Sequence, residues 1–96
     1  MKVWYSSAAE EEFAESALFY IEESPQAALD FEKKIDKAIS LIAEAPNRYP
    51  IYESDIRVKS VKTFPFSIYY RVRAGEIQIL SIAHQSQKPR YWSERI

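Results

Sequence analysis

Ser67-Ile68-Tyr69-Tyr70-Arg71-Val72-Arg73-Ala74-Gly75-Glu76-Ile77-Gln78-Ile79-Leu80-Ser81-Ile82-Ala83-His84 is the stretch that decides the fold. Ile68, Tyr70 and Val72 alternate with Ser67, Tyr69, Arg71 and Arg73, the period-two pattern of a strand with one buried face. Ala74-Gly75 holds the only glycine of the chain and predicts a tight reversal. Residues 76–84 are rich in isoleucine and read as the partner strand, so the stretch predicts a β-hairpin. Upstream, residues 56–63 alternate too, with Ile56 and Val58 on one face and Arg57 and Lys59 on the other. Phe64-Pro65-Phe66 between them is a turn or a strand entry. Residues 45–55, with two prolines, an asparagine and two tyrosines, read as a loop.

Towards the N-terminus the period lengthens. Residues 2–5 suit a short opening strand. Ser7-Ala8-Ala9-Glu10 matches a capping box and predicts a helix start. Ala9, Phe13, Ala17, Tyr20 and Ile21 follow at helical spacing, with Glu11, Glu12, Glu15 and Glu22 expected on the solvent side. Ser24-Pro25 supplies an N-cap and a first-turn proline for a second helix running to about Glu44. Its stripe is Ala28, Phe31, Ile35, Ala38, Ile39 and Ile42, and Pro46 ends it. The expected fold is α+β: two N-terminal antiparallel helices on one face of a twisted antiparallel sheet, in a single domain over residues 1–96.

Composition narrows the chemistry. With no cysteine and one histidine, His84, disulfides, thiolate sites and a multi-histidine metal site are excluded. One glycine excludes a Gly-rich phosphate loop, and no G-x-S-x-G motif is present. The reading expects neither metal nor cofactor. No apolar run approaches the ~20 residues of a membrane span, and no apolar leader follows Lys2, so a cytoplasmic location is expected.

The net charge of −1 hides a division. Residues 1–55 carry 5 Lys/Arg and 12 Asp/Glu, a sum of −7; residues 56–96 carry 8 and 2, a sum of +6. Such asymmetry points either to an anionic partner for the basic half or to mutual neutralisation within the fold. Alternation is expected to gather Arg57, Lys59, Arg71 and Arg73 on one sheet face, where like charges repel unless carboxylates or phosphates offset them. His84 ends the last strand, on the side expected to hold Leu80 and Ile82, as either a packed structural residue or a catalyst. Tyr69, Tyr70, Tyr91 and Trp92 offer stacking surfaces, or core filling in the case of Tyr70 and Trp92.

The order Arg57 … Phe64-Pro65-Phe66-Ser67-Ile68-Tyr69-Tyr70-Arg71-Val72 … Ile77-Gln78-Ile79-Leu80-Ser81-Ile82-Ala83-His84 … Pro89-Arg90-Tyr91-Trp92 … Arg95 resembles the RelE/ParE toxin superfamily of bacterial type II toxin–antitoxin (plasmid stabilisation) systems. Ser24-Pro25-Gln26-Ala27-Ala28-Leu29-Asp30-Phe31 is similar to the start of that family's second helix. The resemblance implies a growth-inhibiting toxin neutralised by an antitoxin whose acidic C-terminal segment wraps it. It also implies one of two activities. ParE-like members inhibit DNA gyrase and have no catalytic residues; an antitoxin or target would then engage Arg57, Lys59, Arg71, Arg73, Trp92 and Arg95. RelE-like members cut messenger RNA on the ribosome without metal. Arg57, Lys59 and Arg71 would then stabilise the phosphate, with His84 or Tyr91 as acid or base. A third possibility is an inactive relative that only binds its antitoxin. Gln85-Ser86-Gln87 stands where many relatives place arginines, and the isoelectric point near 5.8 is low for an RNA-binding nuclease. Together with the His84…Pro89…Tyr91-Trp92…Arg95 ending, these features favour the ParE-like branch.

Overall fold

Two serines set the helical layer. The computed structural model describes residues 1–89; Arg90, Tyr91, Trp92 and Arg95, and the roles expected of them, lie outside the described residues. Ser6, in extended backbone, accepts from the Ala9 amide at 3.0 Å and starts α1 (Ser7–Glu23). The cap is therefore one residue earlier than the Ser7 capping box predicts. Ser6 wins because it also reaches the sheet: its amide donates to Ile79 O at 2.9 Å and its hydroxyl to Leu80 O at 2.8 Å. Ser24 caps α2 (Pro25–Glu44) through the Ala27 amide, with Pro25 in the first turn, as the sequence predicts. The predicted stripe of α2 is buried at all six positions.

The strands are β1 (Lys2–Tyr5), β2 (Ile51–Glu53), β3 (Ile56–Val61), β4 (Phe66–Arg73) and β5 (Glu76–His84). They form one sheet in the order β1-β5-β4-β3-β2. The three hairpin pairs are antiparallel, as expected, but β1 runs parallel to β5, so the sheet is mixed. β2 stands inside the segment expected to be a loop. The β4–β5 reversal places Ala74 and Gly75 at φ +52° and +74°, a turn whose backbone twist matches the strands it joins.

The main core lies between helices and sheet. Phe31, Ile35 and Ile42 of α2 meet Ile68, Tyr70, Ile77, Ile79 and Ile82. Phe31 is ringed by Phe13, Tyr20, Phe64 and Phe66, with ring centroids 5.0–5.6 Å away. A smaller cluster, Ile56, Tyr69, Leu80 and Ala83 with Val58 against it, occupies the face turned from the helices. α1 departs from its predicted pattern at two positions. Ile21 is exposed, and Glu12 is buried, its carboxylate accepting from Ser81 Oγ at 2.8 Å and from the Ile82 amide at 2.9 Å. β1 has left β5 by this point, and Glu12 supplies the acceptor that a strand would otherwise provide. No helix among the described residues is long and apolar enough to cross a membrane.

Candidate functional site

Register decides where the predicted cations stand. Arg57 pairs with Tyr70, Lys59 with Ile68 and Val61 with Phe66. Directly paired residues share a face, so Arg57 and Lys59 project to the helix side, with Ile68 and Tyr70. Arg71 and Arg73 alternate with Tyr70 and Val72 and project to the other side. The expectation of one shared cationic face is therefore corrected: the four residues form two pairs on opposite faces. The sequence pattern assigned each strand's aliphatic side to the same face, whereas β3 turns Ile56 and Val58 towards the outer cluster and β4 turns Ile68, Tyr70 and Val72 towards the helices.

The first pair is engaged with the loop after α2. Arg57 donates from one guanidinium nitrogen to Tyr49 O at 2.7 Å and to Asn47 O at 3.3 Å. The Tyr70 hydroxyl donates to Pro46 O of the same loop at 2.5 Å. Lys59 Nζ sits 4.6 Å from the centroid of the Tyr49 ring, and the Arg48 guanidinium approaches that ring at 5.9 Å. Burial, the dominant cause, pushes the Tyr70 phenol up to about 12, with Tyr49 adding to the rise and Arg57 opposing it.

On the other face, Arg71 Nε donates to Gln78 Oε1 at 2.9 Å, and Arg73 pairs with Asp55 at 3.2 Å in an exposed salt bridge. Tyr69 lies beside them, its ring edge-on to Tyr52 at 4.8 Å, and burial raises its phenol above the usual value.

His84 stands at the far end of β5. It pairs with Phe66, packs edge-on against that ring at 5.4 Å, and its Nδ1 lies 3.1 Å from the Ser86 amide and 2.7 Å from Ser86 Oγ. A bulge in the β4–β5 ladder pairs Tyr69 with Ser81 and Tyr70 with Ile79, leaving Leu80 as the extra residue. Leu80 thereby joins the outer cluster while Ile82 faces the helices, so His84 keeps the side of Ile82 alone. From Arg57, His84 is two strands across and four residues along, roughly 16 Å at ~4.8 Å per strand and ~3.3 Å per residue. Arg57, Arg71 and His84 thus do not converge on one phosphate.

A second cationic feature was not foreseen in the sequence. Lys34, Lys37, Lys59 and Lys62 line a groove of about 200 Å³ between α2 and β3. A neighbouring cleft of about 440 Å³ shares Lys34 and Lys37 and adds Lys33, Asp30, Thr63 and Phe64. Three of these lysines belong to the acidic half of the sequence. The helical spacing of 33, 34 and 37 was the available signal, since it puts them on one flank of α2.

Comparison with known proteins bears on this geometry directly. The family model described as ParE toxin of type II toxin-antitoxin system, parDE, matches residues 3–89. Among solved structures, a chain of the chromosomal ParDE TA system from P. aeruginosa is similar, with a TM-score of 0.77 and 24% identity, over 88% of this chain and 95% of that one. A search of curated proteins finds no match. The chain belongs to the ParE toxin family of type II toxin–antitoxin systems.

Proposed function

We propose that this ParE-family chain is a growth-inhibiting toxin that is held inactive by an antitoxin and acts in the cytoplasm by binding DNA gyrase, without cutting RNA. The family match supports the toxin and its antitoxin partner. One geometric observation carries the choice of activity. Among the described residues, the side chains that a metal-free nuclease would need are divided between the two faces of the sheet, and each has a contact within the chain: Arg57 in loop carbonyls, Lys59 in the Tyr49 ring, Arg71 in Gln78, His84 in Ser86. RNA cleavage requires a base, an acid and cations around a single phosphate. Protein binding has no such requirement, and the exposed Arg73 and half-buried Arg71 suit a rim of polar contacts. In this reading Arg57 and Lys59 shape the loop that a partner meets.

Purified protein added to gyrase and relaxed plasmid should block supercoiling, while primer extension on ribosome-bound messenger RNA shows no new 5′ ends. New ends that vanish in His84→Ala or Arg71→Ala would replace this reading with the nuclease. Expression should arrest growth, and co-expression of the adjacent short reading frame should relieve it. Expression without arrest would identify an inactive relative.

A further inference from the structure

We infer that the hollow between α1, α2 and β5 binds a small arylalkylamine, its ring seated inside and its ammonium held at the mouth. The hollow measures about 210 Å³. An apolar cavity of about 150 Å³ already holds a benzene ring. The space exists because the two helices meet there through a small residue. Ala9 and Phe13 stand one turn apart on α1, as do Ile35 and Ile39 on α2, so each helix turns a pair of side chains to the gap. Ala9 is fully buried yet fills little volume, and the buried Ile82 of β5 closes the floor. Phe13 forms one wall, its ring stacked on Phe31 at 5.5 Å. These walls are apolar, so water finds no partner on them.

The mouth selects the charge. Tyr5, Glu10 and Asp36 are the exposed members of the lining, so the solvent side of the hollow is theirs. No lysine or arginine lines it, and among the described residues neither carboxylate has an ion pair. Burial, and after it the Asp36 carboxylate, raises the Tyr5 phenol above its ordinary value, which fits a phenol and a carboxylate sharing one opening. Two anions at one mouth repel and are relieved by a cation; the Tyr5 hydroxyl adds an acceptor. A bare metal ion would serve the carboxylates and leave the hollow empty. A hydrocarbon would fill the hollow and leave the carboxylates unpaired. A ring joined to an ammonium by a short chain does both, in the manner of an apolar pocket with a few convergent polar groups. The volume suits one ring and its chain, and so a free small molecule. The hollow shares no lining residue with the lysine groove, and the inference holds whichever target the toxin has.

Its test is a titration of the isotope-labelled full chain with phenethylamine, followed by amide chemical shifts. The shifts of Ala9, Glu10, Ile35, Asp36 and Ile82 should saturate together with a Kd of about 1 mM, as suits a ligand of this size. Phenethyl alcohol keeps the ring and loses the charge; propylamine keeps the charge and loses the ring. Each should bind more weakly by about fivefold or more. Glu10→Gln/Asp36→Asn should weaken the amine by about fivefold or more and leave the alcohol unchanged. Glu11→Gln/Glu32→Gln, with the same change in net charge, should leave both unchanged. Ala9→Leu fills the hollow and should abolish the binding of both. Should that variant fail to fold, the double variant at the mouth still decides, because both of its side chains are exposed. The inference is overturned by the absence of saturable shifts, by shifts centred on another surface, by an amine no tighter than the alcohol, or by an amine indifferent to the double variant. A capped tetrapeptide carrying phenylalanine beside lysine, bound more tightly than the free amine, would give the hollow to a polypeptide and would also overturn it. A failed supercoiling assay alters none of these readouts.

Discussion

The Tyr70 ring is fully buried and its hydroxyl serves the Pro46 carbonyl, so ionising it would place a phenolate in the core. Its folded value of about 12 stands above the ordinary 10.0, so the stabilisation is complete below pH 10 and is lost as pH rises towards 12. The loss should approach ~3 kcal/mol across that window, an order-of-magnitude figure from 1.36 kcal/mol per pH unit. Denaturant unfolding at pH 8 to 12 measures it. Tyr70→Phe should be less stable at pH 8 by about 1–2 kcal/mol, from the stranded carbonyl, yet flatter above pH 10. An equally steep alkaline loss in Tyr70→Phe would assign the effect to another group. Arg57 and Arg71 divide in the same way. Arg57→Ala should lower stability by about 1–3 kcal/mol because the loop carbonyls lose a charged donor. Arg71→Ala, whose partner Gln78 is half-buried, should change it by under about 1 kcal/mol. Loss of toxicity in Arg57→Ala is thus interpretable only beside its unfolding curve; in Arg71→Ala it reports contact. Glu12 belongs with the structural group. Glu12→Ala should cost about 3 kcal/mol, since the buried Ser81 hydroxyl and Ile82 amide both lose its carboxylate, while Glu12→Gln should cost about 1. Equal losses in the two variants would argue for packing over hydrogen bonding.

At the scale of elements, the β4–β5 turn is one of the places where backbone and side chain disagree, beside Ser54 and Thr63. Ala74 holds φ +52°, a region that costs an alanine roughly 1–2 kcal/mol and that asparagine tolerates. Ala74→Asn should therefore raise stability by roughly 1 kcal/mol, or the melting temperature by about 4–8 °C for a domain of this size; an unchanged or lower melting temperature would show that the strain is not there. The hairpin itself was legible because Ile68, Tyr70 and Val72 alternate up to the single glycine, and because nothing competes with that pattern. The α2 boundaries were legible for a similar reason: Ser24-Pro25 and Pro46 restrict the backbone directly. β2 was not, since three exposed residues after Pro50 carry no alternation to detect, and tertiary pairing with β3 creates the strand. The Ser6 cap was hidden because Ser7, with Glu10 three residues on, completes the local capping box and Ser6, with Ala9 there, does not; the choice is made by Ile79 and Leu80, more than seventy residues away. Glu12 was placed in water by helical period alone. Its burial answers the Ser81 hydroxyl and the Ile82 amide, about seventy residues away, which no local pattern announces.

At the scale of the molecule, the same distinction separates charge from site. Net charge per half could be counted from the sequence, but the face on which each cation stands is fixed by register, and register is a property of the assembled sheet. That is why Arg57 and Arg71 part company, and why lysines of the acidic half meet Lys59 and Lys62 across a groove. Register also predicts how stability is distributed. β4 and β5 pair on both sides, and their middle residues are buried between the helix-side core and the outer cluster. β2 is an exposed three-residue edge, with a register shift in its ladder. Amide exchange should follow that order. The amides of Ile68, Tyr70, Ile79 and Ile82 should exchange only through global unfolding, with an opening free energy equal to that from denaturant. Val58, whose amide donates to Pro50 O at 3.0 Å, should open locally and at lower cost. β1 is the informative case, because it is an edge that nonetheless ties the first residues to β5. If the Ser6 contacts hold it as the structure implies, the amide of Ser6 should be as slow as the β5 core, and Ser6→Ala should release it by removing the hydroxyl bond to Leu80 O. A Ser6 amide that exchanges as fast as Val58 would show that α1 is anchored by its own packing, with β1 only resting against the sheet.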